Sequence, residues 1–191
     1  MHEPLPEPLR EQFPRVLAAA CAGGEWAWRE LYDAVAPQLT RYLRARGVPE
    51  PDDVVGETFV KVVRYVEGFE GDEAAFRTWV FTIGRNLVVD DLRKRSRRPV
   101  HVATDEQLLK GAPHGNAEDE AMRDLTTAHV EDVLAHLSVD QRDVLLLRIL
   151  GGLTIGEISL VVGKNEGAVK MLQARGLAAI RKRISAGTVT L

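Results

Sequence analysis

The sequence is poor in cysteine, in aromatic residues and in long apolar runs. Cys21 is the single cysteine of 191 residues, so the chain forms no intramolecular disulfide and suits a reducing compartment. No apolar run is long enough to cross a bilayer, which argues against membrane insertion. The opening MHEPLPEPLREQFP is acidic and proline-rich, unlike a signal peptide. We therefore expect a soluble cytoplasmic protein.

The common catalytic patterns are missing as well. The sequence has no Walker loop, nucleophile elbow, zinc-ligand spacing or paired serine and histidine, so we expect no enzyme, no cofactor and no metal. Asp53 and Glu57 share a helix face and, with Asp90, leave a metal-dependent nuclease as a weak alternative. Acids at a helix start have a sufficient structural reason in capping and in the helix dipole.

A second set of possible metal ligands is equally weak. The set consists of His129, Asp132 and His136, which share a helix face. A zinc site needs a tetrahedral ligand set, and no such set is visible around these residues. We interpret these residues as surface positions.

Charge of one sign does not dominate the chain, but it is concentrated locally. The net charge is −3, which argues against a uniformly basic surface. The stretch 50–73 is acidic, 77–98 is basic, 105–132 is acidic again and 164–183 is basic. Local fields are therefore more informative than the total charge.

Helical periodicity with short glycine- and proline-containing breaks predicts an all-α protein. We expect a loose tail over residues 1–13, a helix opened by Pro14, and a longer helix that Pro37 kinks or splits. Trp26 and Trp28 are interpreted as core residues of that longer helix. After the turn at 47–51, Asp52 or Asp53 is expected to cap a helix that buries Val55, Phe59, Val62, Val63 and Val66.

The stretch 76–98, FRTWVFTIGRNLVVDDLRKRSRR, is the centre of the prediction. Phe76, Val80, Ile83 and Leu87 form one apolar stripe of a helix that follows an N-cap at Asp72 and ends before Pro99. The opposite face carries Thr78, Thr82, Arg85, Val89 and Arg93 and leads into a cationic end. Such a helix suits a phosphate backbone, whereas a plain solvated basic helix end is the alternative.

The C-terminal part has the pattern of a helix-turn-helix. Residues 99–118 indicate an extended linker, and a helix is expected from Glu118. Capping boxes at Ser138 with Gln141 and at Thr154 with Glu157 open the next helices. The helix from Thr154 ends at Gly163, and a basic helix follows over 167–184. A plain helical hairpin is the alternative.

Several stretches in order resemble the extracytoplasmic-function sigma factors. They are EWAWRELYD, DDVVGETFVKV and FRTWVFTIGRNLVVDDLRKR in the first half, and LTIGEIS and EGAVK in the second. The resemblance covers about residues 14–98 and 119–184. It implies two small helical domains, 14–98 and 119–187, joined by the flexible linker 99–118. The chain departs from the common pattern at Met171, Leu172 and Gln173.

The resemblance also implies which residues act. Contacts to the minus-ten element would fall on Phe69, Arg77, Arg85, Asn86, Arg93, Lys94 and Arg95. Contacts to the minus-thirty-five element would fall on Asn165, Glu166, Lys170, Met171, Ala174 and Arg175. The polymerase would bind Asp52, Asp53, Glu57, Phe59, Val60 and Arg64. Phe69 has two interpretations, as a plug of the core or as a receptor for an unstacked base.

The expected partners are core RNA polymerase, promoter DNA and an anti-sigma factor. The expected function is promoter-specific initiation of transcription. A stand-alone helix-turn-helix regulator with an N-terminal sensing or dimerisation domain is the alternative. The acidic helix 52–64 separates the two, because a regulator needs no surface for docking on polymerase.

Overall fold

The computed structural model describes residues 9–97, 134 and 136–185. In this part of the chain the elements are α1 (Leu9–Cys21), α2 (Glu25–Ala45), α3 (Pro51–Tyr65), a 3-10 turn (Val66–Gly68), α4 (Glu73–Arg97), α5 (Val139–Ile149), α6 (Ile155–Val162) and α7 (Glu166–Ser185). These residues contain no strand, and the predicted all-α class is confirmed. The predicted linker lies outside the described residues, and so does nearly all of the helix expected from Glu118.

The N-terminal helix begins before the predicted start. Helix α1 runs from Leu9 and contains Pro14 in its interior, so a loose tail up to residue 13 was wrong for residues 9–13. The reason is Phe13, which is buried and lies with its ring centroid 5.6 Å from that of Phe76. Burial of an aromatic side chain stabilises the first turns more than the N–H missing at proline weakens them.

The sequence predicted that Pro37 kinks or splits helix α2. This helix continues through Pro37 without a break, so the split was wrong. Leu31, Leu39 and Leu43 are fully buried on either side of the proline and hold both halves against one core. Trp28 packs at the margin of that core as expected. Trp26 is 52% exposed and is not a core residue.

Helix α3 differs from the prediction in its cap and in its buried face. Its N-cap is Glu50, without a side-chain hydrogen bond, and Pro51 occupies the first turn. Asp52 and Asp53 thus lie in the first turn, where carboxylates interact favourably with the helix dipole. Val63, predicted to be buried, is exposed. The N-cap predicted at Asp72 is confirmed, since its Oδ1 accepts a hydrogen bond from Ala75 N at 2.9 Å.

The local signals of the C-terminal part are confirmed. Both capping boxes are present, with Ser138 accepting from Gln141 N and Thr154 accepting from Glu157 N. Helix α6 ends at Gly163, whose φ of 67° is in the left-handed region that favours glycine. Helix α7 begins at Glu166, and Asn165 Oδ1 accepts from Ala168 N at 2.8 Å.

Helices α5 and α7 approach each other closely at Gly176. A Cβ atom at this position would lie 2.8 Å from Cδ1 of the buried Leu145. Only a residue without a side chain permits this contact without displacing Leu145. The position of α7 is therefore fixed relative to α5.

We expect Thr154→Ala to lower the free energy of unfolding by about 0.5–2 kcal/mol, because the change removes the side chain that caps α6. Urea denaturation followed by circular dichroism measures the effect. Thr154→Ser keeps the hydroxyl and is the matched control, with a midpoint near that of the parent. Equal midpoints for the alanine variant and the parent would show that the cap does not stabilise the protein.

Candidate functional site

Helix α4 has two buried faces rather than one. Phe76 and Val80 of the predicted stripe are buried in the core formed with α1 to α3. On the other side, Phe81 and Val88 are also buried, and α4 packs against α6. A Cβ atom at Gly151, just after α5, would lie 3.1 Å from the Phe81 ring. The C-terminal helices therefore cover the face of α4 that the sequence predicted to be open and polar.

A buried carboxylate lies in this contact. Asp143 of α5 has a side chain that is 1% exposed, and its Oδ2 lies 3.0 Å from Nε of Arg85 on α4. Its Oδ1 is paired with Arg46, which follows α2 and is 6% exposed. The hydroxyl of Tyr42 donates to the same Oδ1 at 3.3 Å. We name these four residues the Asp143 cluster.

The tyrosine of the Asp143 cluster remains protonated at neutral pH. Burial raises the pKa of Tyr42 above its usual value of 10.0, and the nearby Arg46 and Arg85 only partly offset this rise. A protonated phenol donates to Asp143 while its oxygen accepts from Arg46 Nη1 at 3.0 Å. Because folding raises the pKa of Tyr42, the stability that comes from its protonated form is complete below the pKa of the unfolded state. It is lost as the pH rises through the pKa of the folded state.

The residues implied for the minus-ten element do not form one exposed surface. Asn86 is exposed, whereas Arg85 is paired with Asp143 in the contact with α5. Phe69 is half-buried and stacks on Trp79 with ring centroids 5.1 Å apart. Arg77 lies 3.8 Å from Glu73. Arg93, Lys94 and Arg95 belong to the last turns of α4, but their side chains lie outside the part that the structure describes.

The second helix of the helix-turn-helix presents the implied side chains together. Glu166, Lys170, Met171, Ala174 and Arg175 are all exposed along α7, while Val169 on the opposite side is buried. Lys170 Nζ lies 3.5 Å from Glu166 Oε2. Asn165 is exposed, but its side chain already caps α7, which gives it a structural role of its own. The arrangement has one face fixed to α5 and α6 and a polar face turned to solvent.

The implied polymerase surface on α3 is mostly exposed. Asp52 pairs with Arg44 at 3.2 Å, and Glu57 lies 4.0 Å from Lys61. Val60 is 59% exposed. Phe59 is different, because it is buried with its ring centroid 4.7 Å from that of Tyr32. The structure places Phe59 in the core and adds Val63 to the exposed face.

The described residues offer no centre for metal chemistry and no membrane-spanning segment. In the described ranges, no three histidine, cysteine or acidic side chains are grouped as a metal site, so Asp53, Glu57 and Asp90 do not come together. His129 and Asp132 lie outside the described residues, and His136 is exposed. Within the same ranges, every helix is too short or too polar to cross a bilayer.

Comparison with known proteins gives the family. The model for Sigma-70 region 2 matches residues 31–98, and the model for Sigma-70, region 4 matches residues 129–180. The ECF RNA polymerase sigma factor SigL of Mycobacterium tuberculosis is 34% identical over 82% of this chain and 87% of its own length. The chain belongs to the ECF RNA polymerase sigma factors.

Further relatives agree with this sigma-factor assignment. The ECF sigma factor BldN of Streptomyces coelicolor is 36% identical over 83% of this chain, which spans 60% of the length of BldN. The solved structure of CnrH in complex with the cytosolic domain of CnrY matches with a TM-score of 0.64 and 25% identity, covering 90% of this chain and 96% of CnrH. The sigma factor RpoE of Bartonella quintana, solved with the anti-sigma factor NepR, shares the fold at a TM-score of 0.54 and 19% identity, covering 93% and 96% of the two chains.

Membership in the sigma-factor family confirms the resemblance seen in the sequence and the general function that this resemblance implied. Sigma factors are initiation factors of transcription and not enzymes. The residues that sequence reasoning missed are Asp143, Tyr42 and Arg46. A signal was available, because Asp143 is charged yet shares a helical stripe with the buried Leu146 and Leu147. A charge on a buried stripe indicates a buried partner.

Proposed function

We propose that this chain binds core RNA polymerase and directs it to promoters that carry a minus-ten and a minus-thirty-five element. The two family matches in this order, each on a helical unit, carry the proposal. We divide the chain into a first domain at 14–98, a linker at 99–118 and a second domain at 119–187. The protein would act in the cytoplasm, where the polymerase is, and would catalyse no reaction itself.

The exposed face of α3 is the proposed docking surface for polymerase. Val60 and Val63 offer apolar area to a partner, and Glu57 and Arg64 flank it with charges of both signs. An apolar centre with a charged rim is the common anatomy of a specific protein interface. Asp52 and Asp53 extend the rim at the start of the helix. Phe59 contributes by supporting this face from within the core.

The proposed minus-ten contacts lie along α4 and the segment before it. Asn86 is exposed and carries both donor and acceptor groups for a base edge. Arg77, Arg85 and the basic residues Arg93, Lys94 and Arg95 would neutralise phosphates. Capture of an unpaired base by an aromatic side chain such as Phe69 is worth about 1–3 kcal/mol, which would help to melt the element without ATP.

The proposed minus-thirty-five contacts lie on α7. Lys170, Met171, Ala174 and Arg175 are exposed on the face that a major groove would receive. Asn165 and Glu166 lie at the start of the helix, where we propose that they contribute contacts to a base edge or to the backbone of the DNA. An arginine that bonds a guanine edge with two hydrogen bonds is worth about 1–3 kcal/mol of discrimination.

An anti-sigma factor is the proposed regulatory partner. CnrH was solved in complex with the cytosolic domain of CnrY, and RpoE was solved with the anti-sigma factor NepR. CnrH matches this chain over nearly its whole length, which supports a polypeptide partner, and the resemblance to the sigma factors implies one that contacts both helical units. The alternative of a stand-alone regulator is not favoured, because the sigma region 2 match covers α3 and its exposed face.

Transcription in vitro tests the proposal. The purified chain is mixed with core RNA polymerase, tested for co-elution in gel filtration, and supplied with genomic fragments and nucleotides. We expect a stable complex and discrete transcripts whose start sites define the two elements. A chain that binds duplex promoter DNA alone but neither co-elutes with polymerase nor supports initiation would overturn the proposal and favour the regulator.

A further inference from the structure

The Asp143 cluster joins parts of the chain that are far apart in sequence. Tyr42 belongs to α2 and Arg46 is the C-cap that follows it, Arg85 belongs to α4, and Asp143 belongs to α5. The first three lie in the region 2 match and the fourth lies in the region 4 match. The ion pair of Lys164 with Asp140, by contrast, joins two residues of the same match. The Asp143 cluster is thus a polar contact between the two regions.

Burial makes the members of the Asp143 cluster depend on one another. A carboxylate that is 1% exposed has lost nearly all of its hydration, and it remains charged at low cost only beside the two guanidinium groups. The guanidinium of Arg46, 6% exposed, has the same need. Removing either partner leaves an uncompensated charge in the interface, which favours separation of the two regions and rehydration.

Apolar contact accompanies the polar one. The Phe81 ring reaches Gly151 at the end of α5, and α4 packs along α6. Buried ion pairs fix the register of an interface more than they stabilise it, while apolar burial supplies the attraction. The Asp143 cluster therefore favours one specific closed arrangement of the two regions over other ways of packing them.

The closed arrangement and the proposed DNA complex compete for the same groups. Nε of Arg85 cannot bond Asp143 at 3.0 Å and a phosphate in its place at the same time. The covered face of α4 is likewise unavailable to a promoter strand. The competition between Asp143 and DNA rests on the proposed function of α4, whereas the closed arrangement itself does not.

We propose that the Asp143 cluster is an intramolecular clasp that holds the free protein closed and must open before Arg85 can contact the promoter. Asp143 supplies Arg85 with an anionic partner from the second region, in place of the phosphate that the promoter would supply. Any partner that prefers the closed form, or one that prefers the open form, shifts the same equilibrium.

A distance measurement on the full chain tests the clasp without polymerase. Nitroxide labels are attached to Cys21, the single and exposed cysteine, and to a cysteine introduced by Leu160→Cys on α6, where the side chain is 71% exposed. Pulsed electron paramagnetic resonance then reports the distribution of distances between the two regions. We expect a narrow distribution for the parent chain.

Variants on both sides of the contact show whether the Asp143 cluster is what keeps the distance distribution narrow. Asp143→Asn and Arg46→Met are each expected to broaden the distribution and shift it to longer distances, with unchanged helix content by circular dichroism. Asp140→Asn is the matched control. It removes a carboxylate from the same helix, but the partner of Asp140 is Lys164, which belongs to the same region as Asp140. Its distribution is expected to match that of the parent.

The outcomes separate the clasp from the proposed function. A broad distribution for the parent, or a narrow one for Asp143→Asn, would overturn the clasp. With core polymerase and promoter DNA added, Asp143→Asn is expected to form the promoter complex about ten-fold faster than the parent, since less of the chain is held closed. A chain that opens in the variants but never binds polymerase would support the clasp and overturn the proposed function.

Discussion

Replacing Val60 by aspartate is expected to weaken binding to core RNA polymerase about ten- to a hundred-fold, equivalent to about 1.4–2.8 kcal/mol. Val60 is 59% exposed on α3 next to the exposed Val63, so it is available to a partner. A carboxylate introduced at the apolar centre of an interface loses its hydration without gaining a counter-charge. Fluorescence anisotropy of the chain labelled at Cys21, titrated with core polymerase, measures the affinity.

The control for this prediction is another exposed apolar residue of the same region. Trp26→Asp introduces the same charge on α2, at a side chain that is 52% exposed and that we place in no binding surface. It is expected to bind polymerase like the parent. If both variants lose affinity equally, the charge acts in a general way and α3 is not the docking surface. If neither does, the polymerase binds elsewhere.

The second large effect is expected at α7. Arg175→Ala should reduce initiation at promoters with an intact minus-thirty-five element by about ten- to a hundred-fold, equivalent to about 1.4–2.8 kcal/mol. Arg175 is exposed on the face of α7 opposite the buried Val169. Multiple-round transcription on matched templates measures the loss. On a template whose minus-thirty-five element is scrambled, the parent and the variant should give equally low levels of transcript.

Arg15→Ala serves as the control for Arg175→Ala. Arg15 is also exposed, but it lies on α1, where it donates to Gln12 at 2.9 Å. Initiation by this variant should equal that of the parent on both templates. An equal loss for Arg175→Ala on the intact and scrambled templates would show that Arg175 contributes only general affinity and does not read sequence.

The elements that sequence predicted correctly are those set by nearby residues. Ser138 with Gln141, Thr154 with Glu157 and the left-handed Gly163 each involve residues within one helical turn, so their pattern is visible in the sequence. The helix-turn-helix follows from them. The order of the motifs then gave the family, although none of them is specific alone.

The features that sequence did not predict depend on contacts between distant segments. Phe13 extends α1 because it meets Phe69 and Phe76, which are more than fifty positions away. Thr78 and Arg85 were expected on an open face of α4, yet Thr78 is buried and Arg85 reaches Asp143. Helical periodicity assigns residues to a face, but it does not reveal which second element covers that face.

The close approach at Gly176 has a mechanical consequence. Because Gly176 of α7 packs directly on the side chain of Leu145 of α5, and Leu145 lies two positions from Asp143, the clasp residue and α7 belong to one stiff body. A rotation of α5 large enough to free Asp143 swings the exposed side chains of α7, which we propose to contact the DNA groove, through the same angle. Release of Asp143 from its partners and reorientation of α7 are therefore a single coupled motion.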